Sequence, residues 1–239
     1  MNTIKIDSRG VKVIAHRGLS GIEAENTNAA FVAAGNRSYW GIETDVHVAK
    51  DGTLIIIHDS NAERVTDVDM VVENAAGDEL KKLRIIDKYD GAPRSDLTLP
   101  TLDEYIRICK KYDKIAVLEL KEAMKAEDIL RIYNLIKSAD YLDKTVFISF
   151  CFDNLAEIKK INPNQKVQFL VKEWSIDLVS KLKQSGMDLD IRYKALTADR
   201  VEELHKYGIE VNCWTVDEKE TAHALISYGV DYITTNILE

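Results

Sequence analysis

From Cys109 onward the chain alternates short apolar, β-branched runs with amphipathic stretches. The runs are Ile115–Leu120, Thr145–Ser149, Lys166–Val171, Met187–Ile191, Ile209–Trp214 and Tyr232–Thr234. Between them lie helix-patterned segments: Ala126–Ala139, Asp153–Ile161, Ile176–Gln184, Ala198–Tyr207 and Glu218–Tyr228. Asp153, Ser175, Thr197 and Asp217 stand where N-caps are expected, and Gly208 and Gly229 where helices end. Val11–Ala15 and Gly41–Val48, with a helix over Thr27–Gly35, bring the strand count to eight. A βα rhythm that repeats every roughly 20–30 residues is the pattern of a parallel α/β architecture.

One stretch breaks the rhythm. Asp51-Gly52 is a hairpin turn signal between Val46-His47-Val48 and the apolar Leu54-Ile55-Ile56-Ile57. Residues 59–100 are then charged and aperiodic until helical patterning resumes at Thr101-Leu102-Asp103-Glu104. A segment of this length between barrel units is expected to be an insertion over the active-site face or a disordered loop. After Tyr232–Thr234 only five residues remain, too few for a full last helix. Either the N-terminal segment Met1–Gly10 or another subunit must then cover that groove.

At 239 residues, with three prolines and no Ser/Gly-rich linker, the chain reads as one domain. Its 46% hydrophobic content supports a sizeable core. The net charge of −8 argues against a nucleic-acid partner, because a neutralising basic surface is missing. Three cysteines (Cys109, Cys151, Cys213) without a CxxC spacing suggest neither a disulfide framework nor a thiolate zinc site. No signal-peptide core or transmembrane-length apolar run is seen, so a cytoplasmic protein is expected, with a homo-oligomer left open.

Strand alternation puts Glu43, Asp45 and His47 on one face of a strand. Such carboxylates are salt-bridged or exposed in an ordinary strand; buried, they need a partner. Glu119 and Lys121 repeat the arrangement at the end of another apolar run, and active sites of parallel barrels lie at that face. Three carboxylates with no thiolate suit calcium or magnesium better than zinc. His16, followed by Arg17-Gly18, and His58, followed by Asp59, each close an apolar run. Alone, each reads as a structural histidine. Beside the carboxylates, Arg17 and Lys121 they form the set that phosphoryl transfer requires: charge neutralisation plus a proton donor and acceptor. His205 and His223 fall in helical patterns and read as surface residues, and His47 as a residue backing the site.

In these stretches the chain resembles the glycerophosphodiester phosphodiesterase family. The resemblance is carried by His16-Arg17-Gly18, Glu25-Asn26-Thr27 with Phe31, Glu43-Thr44-Asp45-Val46, Lys50-Asp51-Gly52 and His58-Asp59. It continues through Leu99-Pro100-Thr101-Leu102, Leu118-Glu119-Leu120-Lys121, Trp214-Thr215-Val216 and Gly229-Val230-Asp231. It implies a (β/α)₈ TIM barrel with a small insertion after the second strand. It also implies a Ca²⁺ or Mg²⁺ ion held by Glu43, Asp45 and Glu119, and catalytic His16 and His58. Arg17 and Lys121 would lie around the phosphate and Trp214 beside the glycerol. The implied reaction yields glycerol 3-phosphate and an alcohol, through a cyclic phosphate. Ala24, Ala49 and Asn236 depart from the family's usual Pro, Thr and Asp, and are read as loop and supporting changes.

Three other readings stand beside this one. A lysophospholipid-cleaving barrel would need room for an acyl chain, and no Lys-rich amphipathic membrane helix is evident. A barrel that only binds phosphodiesters has no need of two titrating histidines. A doubly wound nucleotide-binding sheet lacks its glycine-rich signature. Phe150, Phe152, Lys172 and Trp174 are possible readers of the alcohol group.

Overall fold

The computed structural model describes residues 2–239. Eight parallel strands close on one another: β1 (Lys12–Ala15), β2 (Gly41–Val48), β4 (Ile115–Leu120), β5 (Thr145–Ser149), β6 (Val167–Val171), β7 (Asp188–Arg192), β8 (Val211–Trp214) and β9 (Tyr232–Thr235). Each pairs in parallel with the next, and β1 pairs with both β2 and β9, which completes the (β/α)₈ barrel. The helices between strands are α1 (Asn28–Gly35), α4 (Leu102–Tyr112), α5 (Ala126–Ser138), α6 (Phe152–Ile161), α7 (Leu178–Ser185), α8 (Ala198–His205) and α9 (Lys219–Tyr228).

The sequence shows why these segments wind where they do. Thr27 caps α1 by accepting the Ala30 N–H, and Thr101 with Glu104 forms a reciprocal capping box at the start of α4. Thr197 caps α8 as its position suggests, but Asp153, Ser175 and Asp217 are not caps; those helices are preceded by Cys151, Asp177 and Glu218. Asp217 is drawn away by tertiary partners, Thr235 and Asn236. Helix α7 therefore starts two residues later than its pattern suggests and leaves Ile176 fully exposed.

Strand β3 (Leu54–Ile56) runs antiparallel to β2 across the Asp51-Gly52 turn, where Gly52 adopts φ +84°. The aperiodic stretch that follows is ordered. It carries α2 (Glu63–Thr66), a 3₁₀ turn and α3 (Gly77–Leu80) around a small core that includes Ile57, Val72, Leu80, Ile85 and Leu97. Its apolar residues are spaced too irregularly for either period, because they reach this one core from several short turns rather than from one regular element.

Among the described residues no helix follows β9. Its place is taken by the N-terminal segment, of which Met1 lies outside the described residues. Ile4 bridges Leu238 in parallel, and the Ile6 N–H donates to the Glu239 carbonyl at 2.8 Å. The Glu239 carboxylate accepts from Thr3 Oγ1 (2.6 Å) and the Ser38 N–H (3.0 Å), and pairs with Lys5 (2.7 Å). These donors outweigh its partial burial and hold its pKa down at about 2.

The barrel interior is layered. Ile14, Val117, Val146, Ile148, Leu170 and Tyr232 fill it, while the larger apolar shell lies between strands and helices. The carboxyl ends of the strands, by contrast, are charged.

Candidate active site

Glu43 and Asp45 project from β2 and Glu119 from β4, all almost fully buried, with Lys121 just beyond β4. Oxygens of the three carboxylates lie within 4.8 Å of one another. Such crowding is tolerated only with compensation. Lys121 Nζ stands 2.8 Å from Glu119 and 3.4 Å from Asp45, and Arg17 Nε 3.6 Å from Asp45. Asn26 Nδ2 donates to Asp45 at 2.8 Å, and the Arg17 N–H to Glu43 at 2.7 Å.

The compensation is unequal. Burial works against all three charges. Lys121 and Arg17 nevertheless hold Asp45 at about 2. Burial, then the neighbouring carboxylates, push Glu43 well above the usual carboxyl range, and burial with Asp45 lifts Glu119 to about 7. Asp45 Oδ1 is buried without a hydrogen-bond donor. Crowded hard oxygens that resist ionisation together, one of them unmatched, fit a divalent cation. A second group, His47 with Glu73 and Glu122, has the same spacing, but both glutamates are exposed. The two ring nitrogens of His47 already face Glu73 (2.8 Å) and the His58 carbonyl (3.2 Å), so His47 buttresses the loop that carries His58.

His16 follows β1 directly. The chain turns back there through two left-handed residues, Arg17 (φ 52°) and Gly18 (φ 74°). A Cβ on Gly18 would lie 2.7 Å from Ala30 backbone and side-chain carbons, so only glycine lets α1 approach this turn. His16 Nδ1 faces Asn236 Oδ1 at 2.8 Å, and Asn236 Nδ2 in turn donates to Asp217 at 2.6 Å. The opposite ring nitrogen, Nε2, is 4.0 Å from Glu43. Burial, then Arg17, lowers the His16 pKa to about 4.

His58 lies just beyond β3, with Nδ1 2.6 Å from Asp59. Asp59 also takes Arg64 Nε at 2.5 Å; Arg64 donates to Glu25 at 2.7 Å, and Glu25 receives Arg17 Nη1 at 2.8 Å. One chain of alternating charges thus ties the His16 loop to the His58 loop through α2. Burial lowers the His58 pKa, although Asp45 and Asp59 oppose it.

The pocket beside these groups is lined by His16, Arg17, Glu43, His58 and Glu119 on one side and by Ile148, Phe150, Leu170 and Trp214 on the other. The Phe150 and Trp214 rings meet edge to face at 5.6 Å. All eight residues singled out by sequence therefore converge on one end of the barrel. Phe150 joins them, whereas Phe152 packs against Phe169.

Four residues escaped sequence reading. Arg64 is an isolated charge in a charged stretch, and nothing local marks it. Asn26 stood only within the resemblance, and Asn236 only as a departure from it. Asp190, on β7, lines the pocket and is 2% exposed; an acid at an inward position of an apolar strand is a signal that alternation could have shown. Burial, then Glu119, raises its pKa well above the carboxyl range.

A closed parallel barrel with carboxylates, histidines and cations gathered at the carboxyl ends of its strands belongs to the (β/α)₈ barrel enzymes. Within that class the comparison is specific. The sequence model of the Glycerophosphoryl diester phosphodiesterase family matches residues 16–239, and the chain belongs to that family. It is 32% identical over 231 residues to a glycerophosphodiester phosphodiesterase of Caldanaerobacter subterraneus, covering 94% of this chain and 93% of that one. It also superposes with a TM-score of 0.88 and 27% identity on an Oleispira antarctica phosphodiesterase solved with the product sn-glycerol-3-phosphate, covering 97% and 95%. A glycerophosphodiester phosphodiesterase from Thermotoga maritima matches at a TM-score of 0.77 and 28% identity, covering 95% and 94%.

Proposed function

We propose that the protein hydrolyses glycerophosphodiesters to sn-glycerol 3-phosphate and an alcohol, with Glu43, Asp45 and Glu119 holding a Ca²⁺ or Mg²⁺ ion. The observation that carries this reading is the crowded carboxylate trio, flanked by two histidines whose Nδ1 atoms are both engaged by partners. Such a cation would neutralise charge on the phosphate oxygens and acidify the attacking hydroxyl.

This chain's own residues do the rest. With Asp59 on Nδ1, His58 keeps its lone pair on Nε2, and the carboxylate stabilises the imidazolium that forms, which suits His58 to the base role. It removes the proton of the glycerol 2-hydroxyl as that oxygen attacks phosphorus. His16, whose Nδ1 partner is a neutral amide, then donates its Nε2 proton to the departing alcohol oxygen, leaving a cyclic phosphate. Reversing the two roles delivers water to the cyclic phosphate and gives glycerol 3-phosphate. At a pKa of about 4 His16 is neutral in the free protein, so the anionic diester must raise it on binding. Arg17 and Lys121 position the phosphate. The segment between β3 and α4 belongs to the same single domain and braces the site through Arg64. Three free thiols accord with a reducing, cytoplasmic setting.

The test is a panel of glycerophosphodiesters with lysophosphatidylcholine beside glycerophosphocholine, assayed with calcium or magnesium by release of glycerol 3-phosphate from the diesters and of lysophosphatidic acid from the lysolipid. Turnover of the water-soluble diesters, abolished in EDTA and restored by either ion, is expected. Full activity after dialysis against EDTA would refute the metal role, and cleavage of lysophosphatidylcholine alone would favour the lysophospholipid reading.

A further inference from the structure

The active-site pocket has two chemically different halves. One is the charged set that handles phosphate. The other is an apolar wall of Ile148, Phe150, Leu170 and Trp214, and set into that wall is Asp190.

Asp190 is the central residue of β7, and its Oδ1 is fully enclosed without a hydrogen-bond partner. The other acids inside the barrel each face a cation or a donor, although Asp45 Oδ1 makes no hydrogen bond of its own. Asp45 has Lys121, Arg17 and Asn26, Glu119 has Lys121, and Asp188 at the opposite end has Lys166. In the neighbouring polar layer Asn212 donates to Gln168 and accepts from Thr234, while Gln168 Nε2 is itself buried and donates to nothing. Asp190 pairs in register with Leu170 on one side and Asn212 on the other, and neither supplies a donor to it. An unmatched buried carboxyl is a standing penalty to the fold and calls for an explanation.

A second orphan faces the same pocket. Trp214 Nε1 is buried and donates to nothing. A missing donor at Asp190 and a missing acceptor at Trp214 are complementary to hydroxyl groups, which donate one proton and accept through two lone pairs. An alkyl chain would satisfy neither.

We propose that Asp190 is a specificity-determining residue whose carboxyl hydrogen-bonds a hydroxyl of the polyol esterified to the phosphate, with Trp214 Nε1 donating to a polyol oxygen beside it. The inference rests on the reading that phosphate binds between Arg17 and Lys121. It adds the reason why a polyol, rather than any alkyl group, fills the remainder of the pocket. Sites that hydrogen-bond a substrate hydroxyl reject analogues lacking it, because their own polar groups are then left buried and unpaired.

Two ligands separate this from the alternatives. sn-Glycerol 3-phosphate and n-propyl phosphate share the phosphate and the three-carbon chain and differ only in two hydroxyls. Their affinities are measured by calorimetry on the full chain with calcium present, for the wild type and for Asp190→Asn, Asp190→Ala and Asp190→Leu. The wild type should prefer glycerol 3-phosphate by about 10- to 100-fold. Asp190→Ala and Asp190→Leu should erase most of that ratio by weakening glycerol 3-phosphate alone, while the near-isosteric amide of Asp190→Asn preserves part of it. Asp190→Leu should also melt higher than the wild type, since it removes an unmatched buried group.

An unchanged ratio in Asp190→Ala overturns the proposal. So does a parallel loss for both ligands, the result expected if Asp190 is held by a buried water for structural reasons alone. A wild type that binds both ligands equally overturns it too, while leaving the phosphodiesterase reading intact. A wild type that binds neither removes the phosphate site and the inference with it.

Discussion

Glu119→Gln is expected to make the metal-free protein more stable and the enzyme inactive. Glu119 is about nine-tenths buried and shares its space with Asp45, so its pKa stands at about 7 instead of 4.5, even with Lys121 beside it. A carboxyl so placed carries about 3 kcal/mol of penalty once ionised, at about 1.4 kcal/mol per pH unit. The neutral amide removes that penalty, and Lys121 still has Asp45 at 3.4 Å. In a chain of this length each kcal/mol moves the melting temperature by about 2–4 °C, so a rise of about 6–12 °C is expected in EDTA at pH 8.

The pH dependence gives the sign. Between pH 4.5 and 7 the folded wild type holds a proton that the unfolded chain releases, so its stability falls as pH rises through that window. The variant has no such proton, and the advantage of Glu119→Gln should shrink to nothing near pH 5. Calcium should restore the wild type at pH 8 and do little for the variant. The assay is thermal unfolding at pH 5 and pH 8, with EDTA and with calcium. A variant less stable than the wild type in EDTA at pH 8, or a difference independent of pH, would refute the account of carboxylate crowding.

Two further outcomes follow from the same contacts. His16→Ala and His58→Ala should each lower kcat by at least about 100-fold with little change in melting temperature; unchanged turnover in either would remove that residue from proton transfer. Glu239→Ala should lower stability by about 2 kcal/mol, since the bonds to Thr3, Ser38 and Lys5 are lost together, while kcat/KM stays intact; an unaltered melting temperature would mean that the N-terminal segment is not held by this residue.

Much of the architecture is written locally. Most barrel units carry their own strand of alternating or continuous apolar residues and their own helix, and these periodicities are set within each segment. The inward carboxylates were legible for the same reason: Glu43, Asp45 and Glu119 break an apolar strand pattern at positions where burial is costly, and His16 and His58 close such strands. Arg64 and Asn236 were not legible as parts of the site, and Asp190 only as an acid at an inward strand position. Arg64 reaches it only because the sparse apolar residues of the insertion settle into a small core that carries α2 to Glu25 and Asp59. Asn236 faces His16 because β9 pairs with β1, more than two hundred residues away in the chain. Helix caps divide in the same way. Thr197 acts locally, whereas Asp217 is drawn to Asn236 by tertiary contact. By itself, then, the sequence determined the barrel rhythm and which residues had to be buried against their chemistry. Only the closed tertiary structure decided which partner each received, because pKa values, tautomers and unmatched donors depend on groups that chain closure alone brings together.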